Sequence, residues 1–138
     1  MKVAFDTNVI LDAILNRPES ESANALIRAV LEDRISGIIT ANTITDIYYV
    51  ARKGMSESDA REAVFEILSI FEIAPVTAES CLNALKLPMS DFEDAVLTTC
   101  VKECGANFIA TRDQAFLTSA SPVKALTPAK ILEMVGEK

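Results

Sequence analysis

Residues 2–17 read KVAFDTNVILDAILNR. The opening KVAF is a short apolar, strand-like run. Asp6, Thr7 and Asn8 follow, and the chain then enters a second apolar stretch with helical spacing. An acid and two small polar residues therefore sit where a strand passes into a helix.

The same alternation continues along the chain. SGIIT (36–40), FEIAPV (71–76), NFIAT (107–111) and PVKAL (122–126) are further short apolar, β-branched runs. Segments with helical periodicity separate them. SESANALIRAVLEDR (20–34) carries a stripe of Ala23, Leu26, Ile27, Val30 and Leu31, expected in the core. ANTITDIYYVARK (41–53) follows the second strand and is expected to end at Gly54. SESDAREAVFEILSI (56–70) begins with capping residues and should bury Ala60, Val64, Ile67 and Leu68. AESCLNAL (78–85) is a short helix, SDFEDAVLTTCVKECG (90–105) a longer one closed by Gly105, and TPAKILEMV (127–135) a last one with Thr127 as N-cap and Pro128 at its first position. Parallel strands need crossovers, and crossovers pack as helices. The alternation thus predicts an α/β fold with a mostly parallel central sheet covered on both faces. Residues 1–138 are expected to form one domain, and the sequence shows no repeat or linker.

Composition narrows the chemistry. The chain has no histidine, which removes Ser-His-Asp triads, His-based acid/base ribonuclease chemistry and histidine-containing zinc sites. Catalysis must rest on carboxylates, hydroxyls, amines or thiols. A net charge of −7 argues against a broad basic face coated in nucleic acid, though not against a local, metal-assisted encounter with phosphates. Half the residues are hydrophobic, slightly rich, so a partner surface is compatible with the composition beside an ordinary core. No stretch resembles a signal peptide or approaches membrane-spanning length. Three cysteines, two of them four apart on one helix, read as buried thiols and fit a reducing cytoplasm.

In open parallel sheets, functional groups gather beyond the carboxyl ends of the strands. Asp6 falls there, after the first strand. Asp46 follows the second strand, Asp94 lies in the first turns of SDFEDAVL, and Asp113 comes just after NFIAT. Each has a structural alternative. Asp6 is a good N-cap, worth about 1 kcal/mol. Asp91 with Asp94, or Ser90 with Glu93, suits a capping box; Asp113 suits a turn, and Asp46 a solvated helix face. Their coincidence at one sheet edge favours a site. Carboxylates about 4–6 Å apart repel by a few kcal/mol per pair at an effective dielectric near 20. An all-oxygen cluster without His or Cys selects hard Mg²⁺ or Mn²⁺ as the compensating charge, with Asn8 and Thr111 supporting the acids by hydrogen bonds.

Together FDTNVILD, the acid within TITDIYYVARK, and SDFEDAVLTTCVKECGANFIATRD resemble the PIN domain, particularly the VapC-like toxins and their stand-alone prokaryotic relatives. The resemblance covers essentially the whole chain. It implies a three-layer α/β/α sandwich and a Mg²⁺- or Mn²⁺-dependent endoribonuclease, with Asp6, Asp94 and Asp113 as metal-binding acids. The second acid of the family is usually glutamate, and the matching position here is Asp46, one methylene shorter. The resemblance also implies a homodimer and neutralisation by an antitoxin protein that fills the groove.

Catalysis would then rest on Asp6, Asp46, Asp94 and Asp113, leaving 5′-phosphate and 3′-hydroxyl ends on RNA. Arg17, Arg52, Lys53 and Arg112 are candidates for a local RNA-binding rim, and Arg52 and Lys53 equally suit a helix C-terminus. Tyr48 or Tyr49 could stack on a base or pack the helix. Two other readings stay open: a nucleic-acid-binding or regulatory PIN module with little catalysis, suggested by Asp46, and a Mg²⁺-dependent phosphatase or phospho-acceptor domain. Against the latter, Asn8 stands where a haloacid-dehalogenase pattern places a second aspartate, and Arg112-Asp113 where a receiver domain places lysine.

Overall fold

The computed structural model describes residues 1–136. Five strands are present: β1 (Lys2–Phe5), β2 (Ser36–Thr40), β3 (Glu72–Ala74), β4 (Phe108–Ala110) and β5 (Lys124–Leu126). The helices are α1 (Thr7–Ile14), α2 (Ser20–Leu31), α3 (Ala41–Ala51), α4 (Glu57–Ile70), α5 (Ala78–Ala84), α6 (Phe92–Glu103), α7 (Gln114–Leu117) and α8 (Pro128–Val135). All strand pairs are parallel, in the order β3-β2-β1-β4-β5.

Period-two alternation divides the strands between two cores. Val3 and Phe5 face one layer and Ala4 the other; Ile39 and Ile38 separate in the same way, as do Ala110 and Ile109. The first core packs the sheet against Ile10 of α1, Leu26 of α2, Ile47 of α3, Ile67 of α4 and Ile131 of α8. The second packs it against Ala84 of α5, Phe116 of α7 and the run from Ala95 to Val101 on α6. The result is the expected α/β/α sandwich. Phe5 is fully buried and meets Phe71 edge-on, 4.9 Å between ring centroids; burying such a side chain contributes roughly 1.5–3 kcal/mol. Phe71 also crosses Gly37, where an added Cβ would come within 2.7 Å of its ring.

Local stop and start signals work as the residue types dictate. Ser56, Thr77 and Thr127 cap α4, α5 and α8 through their side-chain oxygens. Gly105, at φ +81°, turns the chain out of α6. Two expectations need correction, and one short helix adds to those read from the sequence. α3 ends at Ala51, and Arg52, Lys53 and Gly54 form a turn beyond it. The short helix α7 follows Asp113, whose side chain caps it. Leu31 and Leu68, assigned to the core by periodicity, are 59% and 47% exposed; Leu31 borders an open groove that Ile14, Ile27 and Ile70 also line. No helix among the described residues is long and apolar enough to cross a membrane.

Candidate active site

β1 lies between β2 and β4, so its carboxyl end opens where the strand order changes direction, the position at which open α/β sheets bind ligands. Asp6 stands there. Its backbone N–H donates to Ala110 O at 3.0 Å, tying it to the end of β4. Its Oδ1 accepts from Thr7 N at 2.8 Å and caps α1, while its Oδ2 accepts from Thr111 Oγ1 at 2.8 Å. Asp6 is thus both cap and site residue. Thr111 is fully buried, and its Oγ1 also accepts from Asp113 N at 3.1 Å. One hydroxyl therefore fixes two of the predicted acids.

Asp6, Asp46 and Asp94 line a common small cleft with Glu93, Thr40, Thr43 and Asn42. Its volume is about 10 Å³, close to the space that the centre of one water molecule occupies. Thr40 Oγ1 bonds Thr43 Oγ1 at 2.8 Å and Asn42 Oδ1 at 2.7 Å, closing the polar wall at the start of α3. Asp46 enters from α3 and Asp94 from the first turn of α6. Asp91 caps that helix by accepting from Asp94 N at 3.0 Å. Asp113 does not line the cleft; it is exposed, and its Oδ1 accepts from Ala115 N at 3.1 Å, although its charge reaches both Asp6 and Asp94.

Glu93 is the site residue that sequence reading missed as more than a cap partner. It adjoins Asp94 in SDFEDAVL, and on α6 both carboxylates reach the cleft. Its carboxyl is raised by burial and then by Asp46, Asp91 and Asp6.

The electrostatics are one-sided. Burial, followed by the charges of Asp91, Asp6, Asp113 and Glu93, raises the Asp94 carboxyl to about 7. Burial also raises Asp6, against the lowering effects of its Thr111 and Thr7 hydrogen bonds and of Arg112. These oxygens suit a hard divalent cation, which would relieve the repulsion. Among the described residues, however, no three Asp, Glu, Cys or His side chains already stand as a ligand set.

The expected supporting groups differ in their engagement. Asn8 is exposed and its Oδ1 accepts from Arg17 Nη1 at 3.2 Å, so it supports an arginine and not an acid. Arg112 is held by the buried Asp12 through Nε to Oδ2 at 2.8 Å and Nη2 to Oδ1 at 3.1 Å. Arg17 reaches the same carboxylate at 3.3 Å. Arg52 donates to Met55 O at 2.9 Å, and Arg52 and Lys53 are exposed beyond the end of α3. Tyr48 packs edge-on against Tyr49, with the Arg61 guanidinium 5.9 Å from its ring centre.

Among curated proteins, none is significantly similar in sequence. Solved structures share the fold at low identity. A chain of VapBC-1 from nontypeable Haemophilus influenzae superposes with a TM-score of 0.68 at 14% identity, covering 94% of this chain and 99% of that one. A chain of VapBC2 from Rickettsia felis, a complex bound to a DNA fragment from its promoter, gives 0.66 at 17% identity, with 92% and 98% covered. The sarcin-ricin loop cleaving toxin VapC20 of Mycobacterium tuberculosis gives 0.61 at 14%, with 83% and 92% covered. Residues 2–115 match the PIN domain family, whose members are typically nucleases that use divalent metals. With that match spanning the sheet from β1 through β4 and every acid of the cleft, the chain belongs to the PIN domain family.

Proposed function

We propose that this protein is a metal-dependent endoribonuclease that hydrolyses RNA phosphodiester bonds, and that it is the toxin of a toxin–antitoxin pair. The observation that carries the reading is the acidic cleft at the carboxyl edge of a PIN-domain sheet, lined by Asp6, Asp46, Glu93 and Asp94 and by no basic side chain among the described residues, where Asp94 is raised to about 7 by burial and neighbouring acids. Asp6 and Asp94 would hold Mg²⁺ or Mn²⁺ in the cleft, with Asp46 orienting water and Asp113, outside the cleft lining, as the third acid once its side chain turns from the cap of α7. When bound, such an ion acidifies water and offsets charge building on the phosphate. Thr111 keeps Asp6 in one orientation through its 2.8 Å hydrogen bond, and Thr40 and Thr43 fix the opposite wall.

Support for an antitoxin lies in an apolar groove of about 550 Å³ between α1, α2 and α4. Ile14, Ile27, Leu31, Ile67 and Ile70 line it, and Asp59, Glu62 and Glu66 form an acidic rim. This chemistry suits an amphipathic helix with basic flanks, and the structural neighbours include toxin–antitoxin complexes. Family likeness extends the proposal to a cytoplasmic homodimer, for which the mass in solution is the test.

The decisive experiment incubates purified protein with labelled RNA in Mg²⁺ or Mn²⁺, with and without chelator, beside Asp94→Asn. Metal-dependent cuts leaving 5′-phosphates, lost in the variant, are expected. Equal cutting by both proteins would identify a contaminant and defeat the reading. Tight RNA binding without cuts would favour a regulatory module, and release of phosphate from a small phosphoester would favour a phosphatase.

A further inference from the structure

We infer that Arg17 and Arg112, held together on the buried carboxylate of Asp12, form a phosphate clamp that receives the RNA backbone beside the acidic cleft, with Asp12 as its positioning residue. This rests on the nuclease reading above and adds the element that an acidic nuclease most needs. With a net charge of −7 and several carboxylates in the cleft, the protein repels a polyanion unless a cation stands locally beside the site.

Asp12 lies on the buried side of α1 and is 2% exposed. A carboxylate so placed is tolerable only when paired and hydrogen-bonded. It has two cationic partners: Arg112, bound through both carboxylate oxygens, and Arg17, bound at 3.3 Å. Against Asp12 alone, two guanidinium groups leave one positive charge in excess, which the more distant carboxylates of Glu19 and Asp6 offset in part. Arg112 binds side-on through Nε and Nη2, so the edge carrying Nη1 can meet a second planar or tetrahedral oxyanion. Both side chains reach solvent, Arg112 at 40% and Arg17 at 28% exposure.

The position is equally specific. Arg112 stands between Thr111, which donates to Asp6, and Asp113, and its charge is felt at Asp6. Arg17 is further held by Asn8, two residues from Asp6, and its backbone N–H donates to Asp12 O at 3.0 Å. A guanidinium already locked in place loses little freedom on binding, and its fork matches two phosphate oxygens. The chain therefore presents a pre-ordered cationic edge directly beside the carboxylates that would act on the adjoining phosphate.

The experiment measures binding of a fluorescent single-stranded RNA in Mg²⁺ buffer at several salt concentrations, with Asp94→Asn as the parent to prevent cutting. Adding Arg112→Gln should weaken binding about tenfold and lower the log–log salt slope by about 0.7. Adding Arg112→Lys, which keeps the charge but loses the fork, should weaken binding severalfold with the slope retained. Asp12→Asn is the discriminating change: it removes a negative charge, so simple attraction predicts tighter binding, whereas the clamp predicts weaker binding. If melting shows that Asp12→Asn does not fold, Arg112→Lys decides. A parent that binds RNA while its Arg112 variants bind it equally well overturns the clamp alone. Wild-type protein that neither binds nor cuts RNA in Mg²⁺ removes the nuclease reading and the clamp with it.

Discussion

Asp12, on the buried side of α1, is held by two guanidinium groups, whereas Asp94, half-buried on α6, stands in the field of Asp91, Asp6, Asp113 and Glu93. The same side chain meets opposite company at two places on one molecule. Where burial is structural, the fold supplies the counter-charge from within, because an unpaired buried carboxylate is too costly. Where the counter-charge is missing, the fold carries repulsion that a ligand must relieve.

Removing the internal pairing should have the largest effect. Asp12→Ala leaves Arg112 and Arg17 without their shared acceptor and should destabilise the protein by about 3 kcal/mol, read by urea denaturation. An unchanged midpoint would show that the buried pair contributes nothing. On the other side of the contrast, Asp94→Asn should lower RNA cleavage at least about a hundredfold, equivalent to roughly 2.7 kcal/mol of lost transition-state stabilisation. It should do so without destabilising the metal-free protein, since it removes a repelled charge.

A divalent ion should sharpen the comparison next. If Mn²⁺ binds the acidic cleft, raising it to about a hundredfold above its dissociation constant should stabilise the fold by roughly 2.7 kcal/mol, visible as a chelator-reversible rise in Tm. The same addition to Asp94→Asn should give a smaller rise, and an equal rise in both proteins would place the ion elsewhere.

The smallest effect is with pH. The Asp94 carboxyl sits at about 7 in the folded protein against an ordinary value of 3.8, so between those values the native state holds a proton that the unfolded chain has released. Its contribution to stability is therefore fully present below 3.8 and is lost as pH rises through 7. Metal-free protein should lose a few degrees of Tm across that window. Asp94→Asn should flatten the loss, and an equally steep curve in the variant would assign the effect to other groups.

Much of this site is legible along the chain because its determinants are local. Asp6 follows an apolar strand and precedes a helix, Asp91 stands three residues before an amide that needs a partner, and Pro128 follows Thr127. Such signals need only short spacings. Glu93 was legible only as a cap partner, because its reach into the cleft depends on how α6 is rotated against the sheet. Periodicity placed Leu31 and Leu68 on inward stripes, but a stripe shows which side of a helix is apolar and not whether a neighbour covers it.

The amino-acid sequence by itself determined the alternation of strands and helices, the apolar strands buried on both faces, and the placing of Asp6, Asp46, Asp94 and Asp113 after strands or at helix starts. Only the tertiary structure decided the order β3-β2-β1-β4-β5, the Thr111–Asp6 hydrogen bond, and the Asp12–Arg112 pair, whose partners lie 100 residues apart. The reason is physical: propensity and capping act within a few residues, while charge pairing and hydrogen bonding act through space and depend on which distant segments the packed sheet brings together.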